Sequence, residues 1–135
     1  MKKQVLLIAA AFIGLSAVGQ KKELKTAEKA LKKGDYTAST AALDQAQPLL
    51  ESADDAKLTA KYMYLRSQVI YGDGTNAETF EEAGTAFREL LSYETEHEMS
   101  TYSEMVGDQL NALVTNASNA ASEAYKSENY AAAAK

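Results

Sequence analysis

Cysteine is absent from this 135-residue chain, and proline and histidine each occur once. Without cysteine the protein has no disulfide framework and no thiolate chemistry. The single histidine opens the run HEMST, residues 97–101, which begins like the helix of a zinc protease. Thr101 stands where that helix needs its second histidine, so we expect no metal site. Because no other catalytic constellation is visible, we also expect no catalytic residue and no cofactor, and we predict that the protein is not an enzyme.

Strand signals are missing as well. After residue 19 the sequence has no run of β-branched residues and no apolar–polar alternation of strand length. Alanine, glutamate, lysine, glutamine and leucine fill most positions, and these residues favour helix. The composition therefore predicts an all-α fold.

The first 19 residues have the features of a secretory signal peptide. A short basic start, Met1–Lys3, precedes an apolar stretch over residues 5–18, which ends in small residues before Gln20. Membrane-spanning helices need about 20 apolar residues, so we predict a cleaved signal-peptide helix over 1–19, with an uncleaved anchor as the alternative. The absence of cysteine at the cut excludes a lipoprotein. We expect an exported protein, periplasmic or secreted, that meets the membrane only through this segment before cleavage.

The chain also has fewer basic residues than acidic ones. The chain has a formal charge of −5, and cleavage before Gln20 makes it −7 because Lys2 and Lys3 are lost. An acidic protein repels the phosphate backbone, so we expect no nucleic-acid partner.

The remaining residues, 20–135, read as three pairs of helices. Apolar residues at helical spacing stop at Gly34 and at Gly72–Gly74. We predict pairs over about 21–50, 56–92 and 101–135, with Pro48 ending or kinking one helix and residues 92–100 forming a loop or a frayed helix start. The last pair stops soon after Tyr130, so we expect residues 1–135 to be a fragment of a longer repeat protein.

The second helices of these pairs share one spacing. Tyr36, Ser39, Leu43 and Ala46 recur 44 residues later as Phe80, Ala83, Phe87 and Leu90, and Tyr130 with Ala133 begins the series again. Together with Ala27 and the turn Gly34–Asp35, this pattern resembles the tetratricopeptide repeat, a pair of helices of 34 residues. The alternative is a generic bundle with alanine-rich seams.

The resemblance implies a short α-solenoid of stacked helix-turn-helix repeats, in which the first helices line a groove that binds ligands. Carried over by position, the groove residues are Lys61, Tyr64, Gln68 and Tyr71 in the second pair and Ser118, Ser122, Tyr125 and Lys126 in the third. Tyrosine gives contact area and a hydrogen bond at low entropic cost, which suits recognition.

We therefore predict an exported scaffold that binds a protein or peptide in a bacterial cell envelope. One alternative is a carbohydrate-binding component of the envelope, which would need a tyrosine platform beside amide or carboxylate groups. Another is the non-catalytic helical part of a longer enzyme.

Overall fold

A computed structural model describes residues 18–127 and Ala134 of the chain. These described residues form helices and turns without any strand, which confirms the predicted all-α class for this part of the chain. In order, the helices are α1 over residues 18–32, α2 over Tyr36–Glu51, α3 over Ala56–Tyr71, a 3₁₀ turn over Ala77–Thr79, α4 over Phe80–Glu96 and α5 over Ser103–Lys126. The predicted signal peptide up to residue 17 and the predicted helix start at Tyr130 lie outside the described residues.

The described chain divides into two compact units, and the boundary lies inside α3, between Arg66 and Ser67. The first unit contains α1, α2 and the first part of α3. The second contains the last turn of α3, α4 and α5.

Small residues bring α1 and α2 together in the first unit. Ser39 is fully buried, and its hydroxyl donates a hydrogen bond of 3.0 Å to the carbonyl oxygen of Ala27. The turn between the helices depends on Gly34, which has a φ of 71°, and on Asp35, whose carboxylate accepts from the amide of Ala38 at 2.9 Å. A left-handed residue after a helix and an acidic N-cap before the next one are common devices for this kind of turn.

Helix α2 continues through Pro48 as far as Glu51, so a helix end at the proline is wrong, while the alternative of a kink stays a prediction. Proline removes one amide donor from the helix, but Pro48 is exposed and the residues that follow it are anchored. Leu50 is buried, and the carbonyl oxygen of Leu49 accepts a hydrogen bond from the side-chain amide of Gln20. These contacts hold the last turn of α2 against α1.

In the second unit, α4 packs against α5 through a stripe of buried residues. Ala83, Phe87 and Leu90 of α4 are fully buried, as is Val106 of α5. At Gly84 the two helices come close, because a methyl group added there would lie 3.4 Å from a methyl carbon of Leu113. A small residue at this crossing therefore sets the approach of the helices.

Residues 92–96, predicted as a loop or a frayed helix start, belong to the end of α4. The helix persists because its buried stripe continues one step further, to the fully buried Glu94. The chain then turns through Glu98, whose φ of 54° is unusual for a residue other than glycine. Within residues 18–127, no helix is both long enough and apolar enough to span a membrane.

Candidate functional site

The two units differ strongly in charge. Residues 18–66 contain nine lysines and arginines against seven acidic residues, whereas residues 67–127 contain two basic residues, Arg88 and Lys126, against eleven acidic ones. The net acidity of the chain is thus concentrated in the second unit. Any partner of the first unit meets a mildly basic surface, and any partner of the second meets an acidic one.

A polar cluster joins α1 to α3 on the first unit. The Glu28 carboxylate accepts from the ammonium of Lys32 at 2.8 Å and from the ammonium of Lys61 at 2.7 Å. The hydrogen bond from Lys32, followed by the one from Lys61, lowers the pKa of Glu28 from its ordinary value of 4.5 to about 2. About a third of the Glu28 and Lys61 side chains remains exposed, so solvent and ligands reach this cluster.

Tyr64 lies beside the same cluster, one turn after Lys61 on α3. Burial, with a smaller contribution from the negative charge of Glu28, raises the pKa of the Tyr64 phenol above its usual value. The cluster thus combines a neutral phenol with the Glu28 carboxylate and its two ammonium partners on a partly exposed surface. We name this set, Glu28, Lys32, Lys61 and Tyr64, the α1–α3 cluster.

Gln68 forms side-chain hydrogen bonds within the second unit. Its side-chain amide exchanges two hydrogen bonds with that of Gln109 on α5, at 2.7 and 2.8 Å. Both residues are only half-buried. The pair therefore links α3 to α5 and still presents amide edges at the surface.

Tyr71 serves packing. Its ring centroid lies 5.5 Å from that of Phe87, with the rings tilted by 52°. The hydroxyl end of the Tyr71 ring also lies so close to Gly74 that it occupies the space of a side chain there. Gly74 also has a φ of 74°, so both its backbone conformation and the Tyr71 ring favour glycine at this position after α3.

The four predicted residues on α5 all lie on its exposed last turns. The hydroxyl of Ser122 donates to the carbonyl oxygen of Ser118 at 2.9 Å, and Lys126 pairs with Glu123 at 2.9 Å. Tyr125 is 67% exposed. This segment offers a tyrosine at the surface.

Two features of the second unit are missing from the sequence-based prediction. The first is Glu94, which lies inside the segment 92–100 that was not predicted to belong to a helix core. It is fully buried, and its carboxyl oxygens accept from the amide of Tyr102 at 3.0 and 3.2 Å and from the hydroxyl of Ser103 at 2.6 Å. Glu94 thus caps the start of α5. The signal was available, because position 94 continues the steps of four and three that place residues 83, 87 and 90 in the core.

The second feature is a groove of about 250 Å³ between α4 and α5. Two charged residues of α4, Glu81 and Arg88, line it together with apolar and small residues, namely Phe80, Gly84, Leu110, Leu113, Val114 and Ala117. Val114 is 63% exposed at its wall. The sequence shows the spacing of these residues on each helix, but only the crossing at Gly84 brings the two sets together.

Among residues 18–127, no three acidic or histidine side chains are grouped so that they could hold a metal ion. His97 is exposed at the end of α4 and stacks on Tyr93, with ring centroids 4.0 Å apart. Comparison with protein-family models, with curated proteins and with solved structures finds no match to this chain.

Proposed function

We propose that this protein is an exported helical scaffold, built from tetratricopeptide-like repeats, that binds a protein or peptide partner in a bacterial cell envelope. Binding is its activity, and it carries out no chemistry of its own. The observation that supports this proposal most directly is the α1–α3 cluster. It is a partly exposed ion-pair network with a half-buried tyrosine beside it, and it lies on α1 and α3, the first helices of the first two predicted pairs.

The cluster has the chemistry of a peptide-binding surface. Lys32 and Lys61 offer ammonium groups to a partner carboxylate, and Glu28, the acceptor they now share, is the group that such a carboxylate replaces. Exposed ion pairs contribute little to stability, about 0–1 kcal/mol. The exchange of one carboxylate for another therefore costs the fold little.

Surrounding charge favours the same kind of partner. Helix α1 carries lysines at positions 21, 22, 25, 29 and 32 against two glutamates. A partner segment with acidic side chains is attracted to this helix even though the whole chain is acidic. We therefore propose an acidic peptide segment as the ligand of the first unit.

Tyr71 argues against the carbohydrate alternative. Sugar recognition needs an open tyrosine platform beside amide or carboxylate groups, and on α3 the amide of Gln68 lies near Tyr71 in sequence. The ring of Tyr71, however, is occupied by Phe87 and Gly74. Tyr71 thus offers a sugar no open platform, and a sugar ligand would instead have to use Tyr64 beside the Glu28 carboxylate.

Affinity capture from the envelope fraction tests the proposal. The tagged full chain would be compared with Lys61→Met and Tyr64→Ala, and with Arg66→Met as a control on the same helix, because Arg66 is exposed and lies outside the cluster. We expect at least one protein to be retained by the wild type and by Arg66→Met and depleted several-fold by the other two variants. Identical captured sets for all four proteins would refute the proposal, provided that circular dichroism shows each variant to be folded.

A further inference from the structure

The groove between α4 and α5 belongs to neither the α1–α3 cluster nor the core. Its floor is made where Gly84 meets Leu113, and its walls are Phe80 on α4 and Leu110 and Val114 on α5. Leaving a residue such as Val114 63% exposed forgoes the stabilisation that burial of its apolar side chain would give. An apolar groove that stays open in this way is a feature of binding surfaces.

The length of the groove matches a short helix. Its lining runs from Phe80 to Arg88 on α4 and from Leu110 to Ala117 on α5, which is about two helical turns on each side. Two turns present three or four anchor positions of an amphipathic helix, at i, i+3 or i+4, and i+7. A peptide that binds by adding a strand needs unpaired backbone groups on its host, whereas the backbone groups in the middle of α4 and α5 are used within the helices.

Charge decides which helix fits. The second unit has eleven acidic residues against two basic ones, and Lys126 already pairs with Glu123. Glu81 lines the groove itself and has no ion pair among the described residues. A basic helix is therefore attracted to this unit, while an acidic helix or a second copy of the same acidic unit is repelled.

Arg88 determines the direction in which a helix would run in the groove. It lines the groove seven residues after Glu81, about 10 Å further along α4, and it forms no ion pair with any described residue. A guanidinium group at that end favours a carboxylate or the carbonyl end of a helix. The bound helix then runs with its basic side chains towards Glu81 and with an acidic residue or its C-terminus at Arg88.

We propose that the α4–α5 groove is a docking site for a basic amphipathic α-helix of a partner protein. This goes beyond the acidic peptide proposed for the first unit. The two sites are independent in their tests, because a change at Val114 leaves Lys61 and Tyr64 intact.

The proposal can be tested with two synthetic probes on the full chain. Each is a helical peptide of about 18 residues with leucine and alanine on one face, long enough to form a helix when bound. The first carries lysine on the polar face and the second carries glutamate. We expect calorimetry to show binding of the basic peptide with the acidic peptide at least tenfold weaker, and we expect the difference to narrow as salt rises.

Val114→Asp separates docking from simple charge attraction. An added carboxylate strengthens any non-specific attraction for a basic peptide, but in the groove it blocks the apolar contact and weakens binding, by tenfold or more. Met105→Asp is the matched control, since Met105 is 48% exposed on the same helix and lies outside the groove. We expect its affinity for the basic peptide to equal or exceed that of the wild type.

Three results would overturn the proposal. Tighter peptide binding by Val114→Asp, as by Met105→Asp, would mean attraction by the whole acidic unit without docking. Equal binding of the basic and acidic peptides would remove the role of charge. A dimer seen by analytical ultracentrifugation without peptide, and dissociated by Val114→Asp, would assign the groove to a second copy of the chain instead.

Discussion

Replacing Glu94 with leucine should unfold the start of α5 more than any change on the surface of α4. Glu94 is fully buried, and its carboxyl oxygens accept from the amide of Tyr102 and the hydroxyl of Ser103. No side chain at the N-cap position, Tyr102, replaces this contact. The start of α5 therefore depends on a residue eight positions earlier in the chain.

The expected magnitude follows from the donors that leucine leaves without an acceptor. A buried donor left unsatisfied costs about 1–3 kcal/mol, and the amide of Tyr102 is only half-buried with its residue. Losing a helix cap alone costs about 1 kcal/mol. We expect Glu94→Leu to lower the free energy of unfolding by about 3 kcal/mol, and Glu94→Gln, which keeps one acceptor oxygen, to lower it by about 1 kcal/mol.

Urea unfolding followed by circular dichroism measures these differences, with Glu96→Leu as the control because Glu96 is exposed two residues further on. Surface changes of that kind shift stability by about 0.5 kcal/mol or less. Hydrogen exchange should also show faster exchange at the first amides of α5 in Glu94→Leu. Equal losses for Glu94→Leu and Glu96→Leu would refute the capping role of Glu94.

Three further predictions concern the other contacts. In a carbon-detected NMR titration the carboxyl of Glu28 should titrate near pH 2, Lys61→Met should raise its pKa, and an ordinary pKa would contradict the ion pairs. Because the folded pKa is depressed, the stability from this cluster should be present above about pH 4.5 and lost as the pH falls towards 2. In the same urea assay Tyr71→Ala should lower the free energy of unfolding by about 2–4 kcal/mol, because the Tyr71 ring packs on Phe87. Tyr125→Ala should lower it by less than about 0.5 kcal/mol, because Tyr125 is exposed, and equal losses would place Tyr125 in the core as well. Gly74→Ala should lower the melting temperature more than Gly34→Ala does. Both positions have a positive φ, which gives alanine about 1–2 kcal/mol of strain, but only at Gly74 does the added methyl group also meet the Tyr71 ring. A larger loss for Gly34→Ala would contradict that contact.

The helical class and the turns were predictable because they depend on local chemistry. Gly34 and Asp35 end one helix and begin the next by their own backbone and side-chain preferences, and Ala27 and Ser39 are small where two helices must approach. Glu94 was missed because a glutamate is normally placed on the surface. Its partner, the start of α5, becomes visible only in three dimensions.

The same reason applies to the candidate site. Sequence position placed Lys61, Tyr64, Gln68 and Tyr71 on one helix but did not reveal what each one touches. Lys61 is paired with Glu28, Gln68 with Gln109, and Tyr71 with Phe87. Of the four, Lys61 and Tyr64 thus share a polar cluster with a residue of α1, a contact between residues more than 30 positions apart in the chain.

Photo-cross-linking within the cell envelope tests the central claim most directly. A photoreactive phenylalanine analogue would replace Tyr64 in the α1–α3 cluster, and in a matched protein it would replace the exposed Arg66 on the same helix. If the cluster binds a protein or peptide, illumination should give a discrete cross-linked species from position 64, and Lys61→Met should diminish that species while position 66 gives little. Equal cross-linking at both positions, or none at position 64 in a folded protein, would contradict the proposed binding surface.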